Sequence, residues 1–311
     1  MTRELKAFYT LSPLQQLDFP LLQQHQVSLW LKRDDLIHPQ VSGNKWRKLK
    51  YNLQQAMVSG KQRLLTFGGA YSNHLHAFAA ACQLLGLEGV AIVRGEAPAE
   101  FGATLQFIQQ CGVQLVFVSR EEYRRRHDAD YLHQLQQEFA PCEIIPEGGS
   151  NALALRGMAE LIPELEQQLP EGFDVLATAV GSGGTLAGAL QNMSAGQQAL
   201  GVCVLKGAEY LQAHIQQLAG PVNADWQLSH DYHFGGYARF TEELLNFMRE
   251  FRQHSGIALE PIYTGKLMYA VFDLVARQQI LPGSRVVALH TGGMQGLDGL
   301  QQRFPTLRER L

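Results

Sequence analysis

The sequence predicts an α/β protein built on parallel-rich, open twisted sheets flanked by helices, and three observations carry that prediction. From about residue 60 onward, short apolar or β-branched runs alternate with longer segments of helical period, the pattern of parallel strands joined by crossover helices. The composition is that of an ordinary globular chain, with 46% hydrophobic and 18% charged residues over 311 positions. Gly-Gly pairs close several strands, at Gly68-Gly69, Gly148-Gly149, Gly183-Gly184 and Gly292-Gly293. Glycine at the carboxyl end of a parallel strand lets backbone approach a ligand in the crevice where open sheets bind them, so these turns point to one shared site.

In chain order, the apolar runs predict strands over 63–67, 89–93, 113–118, 143–145, 174–180, 199–204 and 285–289. Between them, helical periodicity predicts helices over 73–85, 98–110, 121–139, 152–168 and 241–253, with many glutamines on their outer faces. Length allows one large domain or two intimately joined ones, and no internal repeat or low-complexity linker interrupts the chain. The formal net charge of -3 brings no basic stripe for nucleic acid or an anionic membrane, and Arg124, Arg125 and Arg126 read as a solvated helix face. The four cysteines, Cys82, Cys111, Cys142 and Cys203, lack zinc or disulfide spacing, so no metal and a reduced, cytoplasmic chain are expected. Neither a signal-type apolar start nor a stretch of roughly 20 apolar residues is present, which argues against secretion and membrane insertion.

Three segments carry chemistry. The first, AVGSGGTLAG at 179–188, follows a strand and opens a helix. Gly181, Gly183 and Gly184 allow backbone N–H groups to converge, Ser182 and Thr185 add hydroxyls, and the helix amino end favours an anion. No Gly-Lys-Ser/Thr follows, and Leu186 stands where a dinucleotide fingerprint needs its third glycine, so a lone phosphate monoester is preferred. A tight turn without a ligand is the plain alternative. The second, Ser42-Gly43-Asn44-Lys45, delivers a lysine at a helix start, and lysine forms Schiff bases with aldehyde cofactors when partly desolvated. Taken alone, Lys45 among Arg47, Lys48 and Lys50 reads as a solvated basic face. In the third, TFGGAYSNHLHAFAAAC, Ser72 and Asn73 stand at the N-terminus of an alanine-rich helix, where free N–H groups cap or bind a carboxylate. His74 and His76 diverge on that helix, which disfavours a metal pair and leaves them as wall or hydrogen-bonding core residues.

Together, SGNKWRKL, GGAYSNH, EGGSNALALRG, GSGGTLAG, EPIYTGKLMYA and HTGG occur in an order that resembles the fold-type II (tryptophan synthase β-like) pyridoxal phosphate (PLP) enzymes. The resemblance runs over about residues 8 to 300 and is strongest to the branch holding D-cysteine desulfhydrase and 1-aminocyclopropane-1-carboxylate deaminase. It implies PLP as cofactor, a small amino-acid substrate, a homodimer, and two domains: a smaller substrate-side one over 48–157 and a larger PLP-binding one over 1–47 plus 158–311. Lys45 then matches the Schiff-base lysine, Gly181 to Thr185 the phosphate cradle, and Asn73 the partner of the cofactor's 3-hydroxyl. Ser72 matches the carboxylate site with a possible share in proton transfer, and Tyr237 and Tyr263 match two active-site tyrosines, the latter expected to have a lowered pKa.

Two positions divide the branch. Deaminases tend to carry glutamate after the second tyrosine and leucine in the final H-x-G-G, and desulfhydrases carry threonine at both; here they are Thr264 and Thr291. A carboxylate beside the pyridine nitrogen would keep it protonated, whereas a threonine hydroxyl leaves it largely neutral, which suits expulsion of sulfide better than ring opening. Thr264 could equally cap a helix and Thr291 end a strand. Tyr71 replaces the glutamine common in the branch and is expected to narrow the substrate pocket. The reading is PLP-dependent α,β-elimination of a small D-amino acid, D-cysteine to pyruvate, sulfide and ammonia. The alternatives are 1-aminocyclopropane-1-carboxylate deamination and, from another class, non-catalytic binding of a phosphorylated metabolite.

Overall fold

The computed structural model describes Leu5 and residues 10–303. Its strands are β1 (Leu14–Leu17), β2 (Ser28–Lys32), β3 (Arg63–Gly68), β4 (Glu88–Arg94), β5 (Gln114–Val118), β6 (Cys142–Ile145), β7 (Val175–Val180), β8 (Gln198–Cys203), β9 (Asp225–Ser229) and β10 (Arg285–Leu289). The helices are α1 (Pro20–Gln24), α2 (Asn44–Val58), α3 (Asn73–Leu85), α4 (Ala103–Gln110), α5 (Arg120–Arg124), α6 (Ala129–Glu138), α7 (Ala152–Ala159), α8 (Leu161–Gln168), α9 (Gly184–Leu190), α10 (Leu211–Ala219), α11 (Glu242–Ser255), α12 (Thr264–Ala276) and α13 (Gly296–Arg303).

The strands form two sheets, one of six in the order β1-β2-β10-β7-β8-β9 and one of four in the order β5-β4-β3-β6. All pairings are parallel except β1 with β2. Each sheet is covered on both faces, which is why its strands read as continuous apolar runs. Along β10, Val286 and Ala288 enter the layer holding α11 and α12, while Val287 and Leu289 enter the layer holding α8, α9 and α10. In the small sheet, Leu64, Ala91 and Val93 face α2 and α3, while Leu65, Phe67, Val90 and Ile92 face the side of α6.

Two expected helices are broken, each for a local reason. The segment 121–139 divides into α5 and α6 because Asp128 caps α6, its carboxylate accepting from the N–H groups of Asp130 and Tyr131. The segment 152–168 divides at Glu160: Pro163 has no N–H for the Ala159 carbonyl, which accepts instead from the Asn192 amide at 2.9 Å. The expected start at residue 98 moves to Ala103, behind the extended Gly102. Strands β1, β2 and β9 were not predicted.

The basic run after Lys45 is not solvated. Arg47, Lys48 and Lys50 are buried. Arg47 holds Asp34 at 2.7 Å and Glu164 at 2.7 Å, and Lys50 bonds Glu160. They are buried because α2 crosses α7 at close range: a Cβ on Gly157 would stand 1.9 Å from the Arg47 carbonyl oxygen. Of the predicted arginine face, Arg124 and Arg125 are exposed, but Arg126 pairs with Glu147 at 2.6 Å.

Candidate active site

Strand order fixes where a ligand can sit. In the small sheet, β3 to β5 progress one way and β6 returns on the other side of β3; in the large sheet, β7 to β9 progress and β10 returns beside β7. Each reversal leaves a crevice beyond the carboxyl ends of the two strands. A cleft of about 720 Å³ is lined from both crevices, by the turns after β3 and β6 and by those after β7 and β10.

The SGNK turn reaches this cleft because Gly43 lies against the loop after β10. Its φ is +68°, and a Cβ there would meet the Thr291 carbonyl oxygen at 1.8 Å, so only glycine permits the approach. Lys45, the second residue of α2, donates from Nζ to Asn44 Oδ1 at 2.6 Å, and Asn44 Nδ2 donates to Thr185 Oγ1 at 2.7 Å. Lys45 is thereby tied to the glycine loop. Burial lowers its pKa to about 8, with Glu260 opposing the shift. Burial and the neighbouring Lys45 together bring Lys48 to about 7. Neither lysine has an ion-pair partner among the described residues.

The glycine loop has the makings of a phosphate site. Gly181, Ser182, Gly183 and Thr185 line the cleft, and Gly184 lies just behind them. A Cβ on Gly184 would stand 3.0 Å from Ser150 Oγ and 3.2 Å from Lys48 Nζ. Two desolvated, unpaired lysines at a hydroxyl-rich glycine turn fit a dianionic phosphate on an aldehyde-bearing cofactor. Lys48 was not singled out in the sequence, because only the α2–α7 crossing carries it inward.

On the opposite wall, Ser72 caps α3, its Oγ accepting from Leu75 N at 3.2 Å. The Asn73 amide lies 2.9 Å from where a Gly293 Cβ would be, and its Oδ1 accepts from Gln295 Nε2 at 3.2 Å. Tyr71 lines the cleft but is 52% exposed, with its ring edge 3.4 Å from the Cβ position of Gly299 on α13. The rings of Tyr237 and Tyr263 meet edge to face at 6.2 Å, and Tyr263 closes over Gly181. Burial, Tyr237 and Glu260 push the Tyr263 phenol well above its ordinary range, contrary to the lowered value expected. Burial likewise raises Tyr237. Both phenols are therefore proton donors at neutral pH.

Thr291 lies two residues beyond β10, buried at the cleft wall. Thr264 is the first residue of α12 and does not cap it: its Oγ1 accepts from Glu260 N at 2.9 Å, and it is the Glu260 carboxylate that accepts from the Ile262, Tyr263 and Thr264 N–H groups. Glu260, fully enclosed and close enough to influence Lys45, also escaped notice in the sequence. An acid four residues before a threonine, ahead of an apolar helix, was the available signal. His74 bonds Thr66 Oγ1 through Nε2 at 2.8 Å, and His76 stacks on Phe107 at 3.9 Å. Among the described residues no group of three or more His, Cys, Asp and Glu could hold a metal, and the four cysteines are free and buried.

The family described as "Pyridoxal-phosphate dependent enzyme" matches residues 6–292. The chain belongs to this family. It is a PLP enzyme, and the lysines, the glycine loop and Asn73 are the residues that could hold the cofactor. It is 32% identical over 295 residues to the bifunctional D-cysteine desulfhydrase/1-aminocyclopropane-1-carboxylate deaminase, mitochondrial, of Arabidopsis thaliana, covering 86% of this chain and 73% of that one. It is 31% identical over 292 residues to the D-cysteine desulfhydrase of Salmonella choleraesuis, covering 86% and 88%. Among solved structures, an ACC deaminase homologue superposes with a TM-score of 0.83 at 26% identity, over 99% of this chain and all of that one. A fungal L-serine ammonia-lyase from Rhizomucor miehei, at 17% identity and a TM-score of 0.69, shares the fold. No helix among the described residues is long and apolar enough to cross a membrane.

Proposed function

We propose that this PLP enzyme is a lyase that carries out α,β-elimination on a small D-amino acid, D-cysteine first, giving pyruvate, sulfide and ammonia. The observation that carries the reading is a hydroxyl, Thr291, at the wall beneath the SGNK turn, with the buried acid Glu260 engaged in capping α12. Relatives bearing the desulfhydrase name, alone or with deaminase activity, support it.

When bound, PLP supplies an electron sink for the pair left on the substrate's α-carbon. Lys48 and the Gly181–Thr185 turn would neutralise and orient its phosphate, and Asn73 would hydrogen-bond the ring's hydroxyl. Ser72 and the free N–H groups of α3 hold the substrate carboxylate. Lys45, with a pKa of about 8, is partly neutral near physiological pH and can accept the α-proton. Tyr237 and Tyr263 keep their protons and deliver one to the departing sulfur. The chain acts as a homodimer, as the resemblance implies.

The test is a panel of D- and L-amino acids assayed for pyruvate, 2-oxobutanoate and sulfide. Sulfide and pyruvate in equal amounts from D-cysteine are expected. Release of 2-oxobutanoate from 1-aminocyclopropane-1-carboxylate with no product from D-cysteine would sink the proposal.

A further inference from the structure

We infer that the cleft has a second anion subsite, built on Arg94, and that it favours amino acids whose β-substituent carries an oxyanion. This rests on the elimination reading of the same site.

Arg94 is the last residue of β4, beside the turn that follows β3. Its Nη2 stands 3.6 Å from the Cβ position of Gly69, so the guanidinium hangs over the Gly69–Ser72 turn that leads into α3. It lines the same cleft as Lys45 and Ser72. Its Cζ lies 5.8 Å from the centre of the Tyr123 ring, whose other visitor is Arg126 at 5.0 Å. Those two arginines differ in one respect. Arg126 is neutralised by Glu147 at 2.6 Å, and the second Glu147 oxygen accepts from the Tyr123 hydroxyl at 2.8 Å, so that carboxylate is fully used. Arg94 makes no ion pair among the described residues, whereas Arg33, Arg47, Arg63, Arg277 and Arg285 all hold carboxylates. Arg94 is exposed at the cleft, and there it and Arg126 exceed Glu147 by one positive charge.

That charge is not placed for the cofactor phosphate, whose cradle belongs to the other sheet. Nor is it needed for the substrate's α-carboxylate, which the Ser72 end of α3 accommodates in the proposed function. What remains within reach is the substrate's β-substituent. A guanidinium presents a planar fork of donors that matches phosphate, sulfonate or carboxylate oxygens, and the Tyr123 ring stands 5.8 Å from its Cζ. In the reaction the α-proton passes to the base, its electron pair forms the Cα–Cβ double bond, and the Cβ–X bond breaks with X leaving as an anion with its pair. Water then hydrolyses the released aminoacrylate to pyruvate and ammonium. An X already bearing oxyanion charge gains from Arg94 both in binding and as it departs.

The test uses purified holoenzyme with both enantiomers of O-phosphoserine, S-sulfocysteine and β-chloroalanine, scored by pyruvate. The oxyanion substrates should exceed β-chloroalanine in kcat/KM by roughly tenfold, the weight of one charge-assisted hydrogen bond. Arg94→Gln should abolish that ratio, mostly through KM, and Arg94→Lys should restore part of it. Calorimetry with succinate and propionate reads the subsite without chemistry: succinate should bind more tightly, and Arg94→Gln should remove its advantage. Equal losses for all substrates would assign Arg94 to the α-carboxylate or to structure and overturn the inference, as would wild-type enzyme with no oxyanion preference. Absence of pyruvate from every β-substituted alanine would defeat the elimination reading, and succinate binding would still decide Arg94.

Discussion

Lys45 and Lys48 stand one helical turn apart on α2, and burial weakens the hold of both on their protons. Their assigned work differs, and so do the expected losses. Lys45→Ala should end turnover and the borohydride-fixed label while PLP still binds non-covalently; unchanged activity would remove Lys45 from the reaction. Lys48→Gln should keep the covalent link but weaken PLP affinity about 10- to 100-fold, the range for a lost hydrogen bond to a charged group, as measured by cofactor titration. Only the neutral amine of Lys45 attacks an aldehyde, so covalent loading of the apoenzyme should accelerate as pH rises through about 8 and level off above it. A loading rate that falls over that interval would contradict the assignment. Thr291→Ala should cost about 1 to 3 kcal/mol of cofactor binding or activation if its hydroxyl serves the ring nitrogen.

At the scale of elements, the crossing of α2 and α7 sets the position of both lysines. Gly157 is the contact point, with backbone and not a flexible side chain in the way of any Cβ. Gly157→Ala should force the helices apart, costing about 1 to 3 kcal/mol of stability as overpacking does, and should weaken PLP binding although residue 157 does not line the cleft. Urea unfolding and cofactor titration on the same variant check both effects; loss of stability with unchanged PLP affinity would show that the lysines do not depend on this crossing. Strands such as β7 and β10 are buried on both faces, so their apolar runs are visible locally, and the glycine turns after them are visible because glycine is required there. β1, with two exposed glutamines, and β9, with alternating exposure at the sheet edge, carry no such signal. Lys45, Ser72, Asn73 and the Gly181–Thr185 loop were readable because each sits in a local motif. Lys48, Glu260 and Arg94 were not, because their surroundings come from segments far away in the chain.

Across the whole molecule, the two sheets meet the cleft with charges the fold must tolerate, and α3 carries the clearest consequence. His74 is buried between Lys45, Lys48 and Thr66, and burial first, then the two lysines, lower its pKa to about 3. Thr66 Oγ1 donates to the Ile145 carbonyl at 2.8 Å, so it accepts from His74 Nε2–H, which sets the tautomer, while burial and the two lysines keep the ring uncharged. Burial also lowers His76 to about 4. An unfolded histidine binds its proton near pH 6.5, so between that value and the folded pKa the unfolded chain holds the extra proton. Stability from these neutral rings is complete above pH 6.5 and is lost as pH falls toward 4 and then 3, with a slope of about 1.4 kcal/mol per pH unit for each proton. Carboxylates held low by a partner, such as Asp174 beside Arg285, contribute to the same decline, so the informative quantity is a difference. Unfolding free energies of apoenzyme and of His74→Gln, measured between pH 4 and 7, should diverge by one proton's slope, the variant being the less acid-sensitive. Parallel curves would mean that His74 already carries its proton in the fold, and that burial beside Lys45 and Lys48 does not hold the ring neutral.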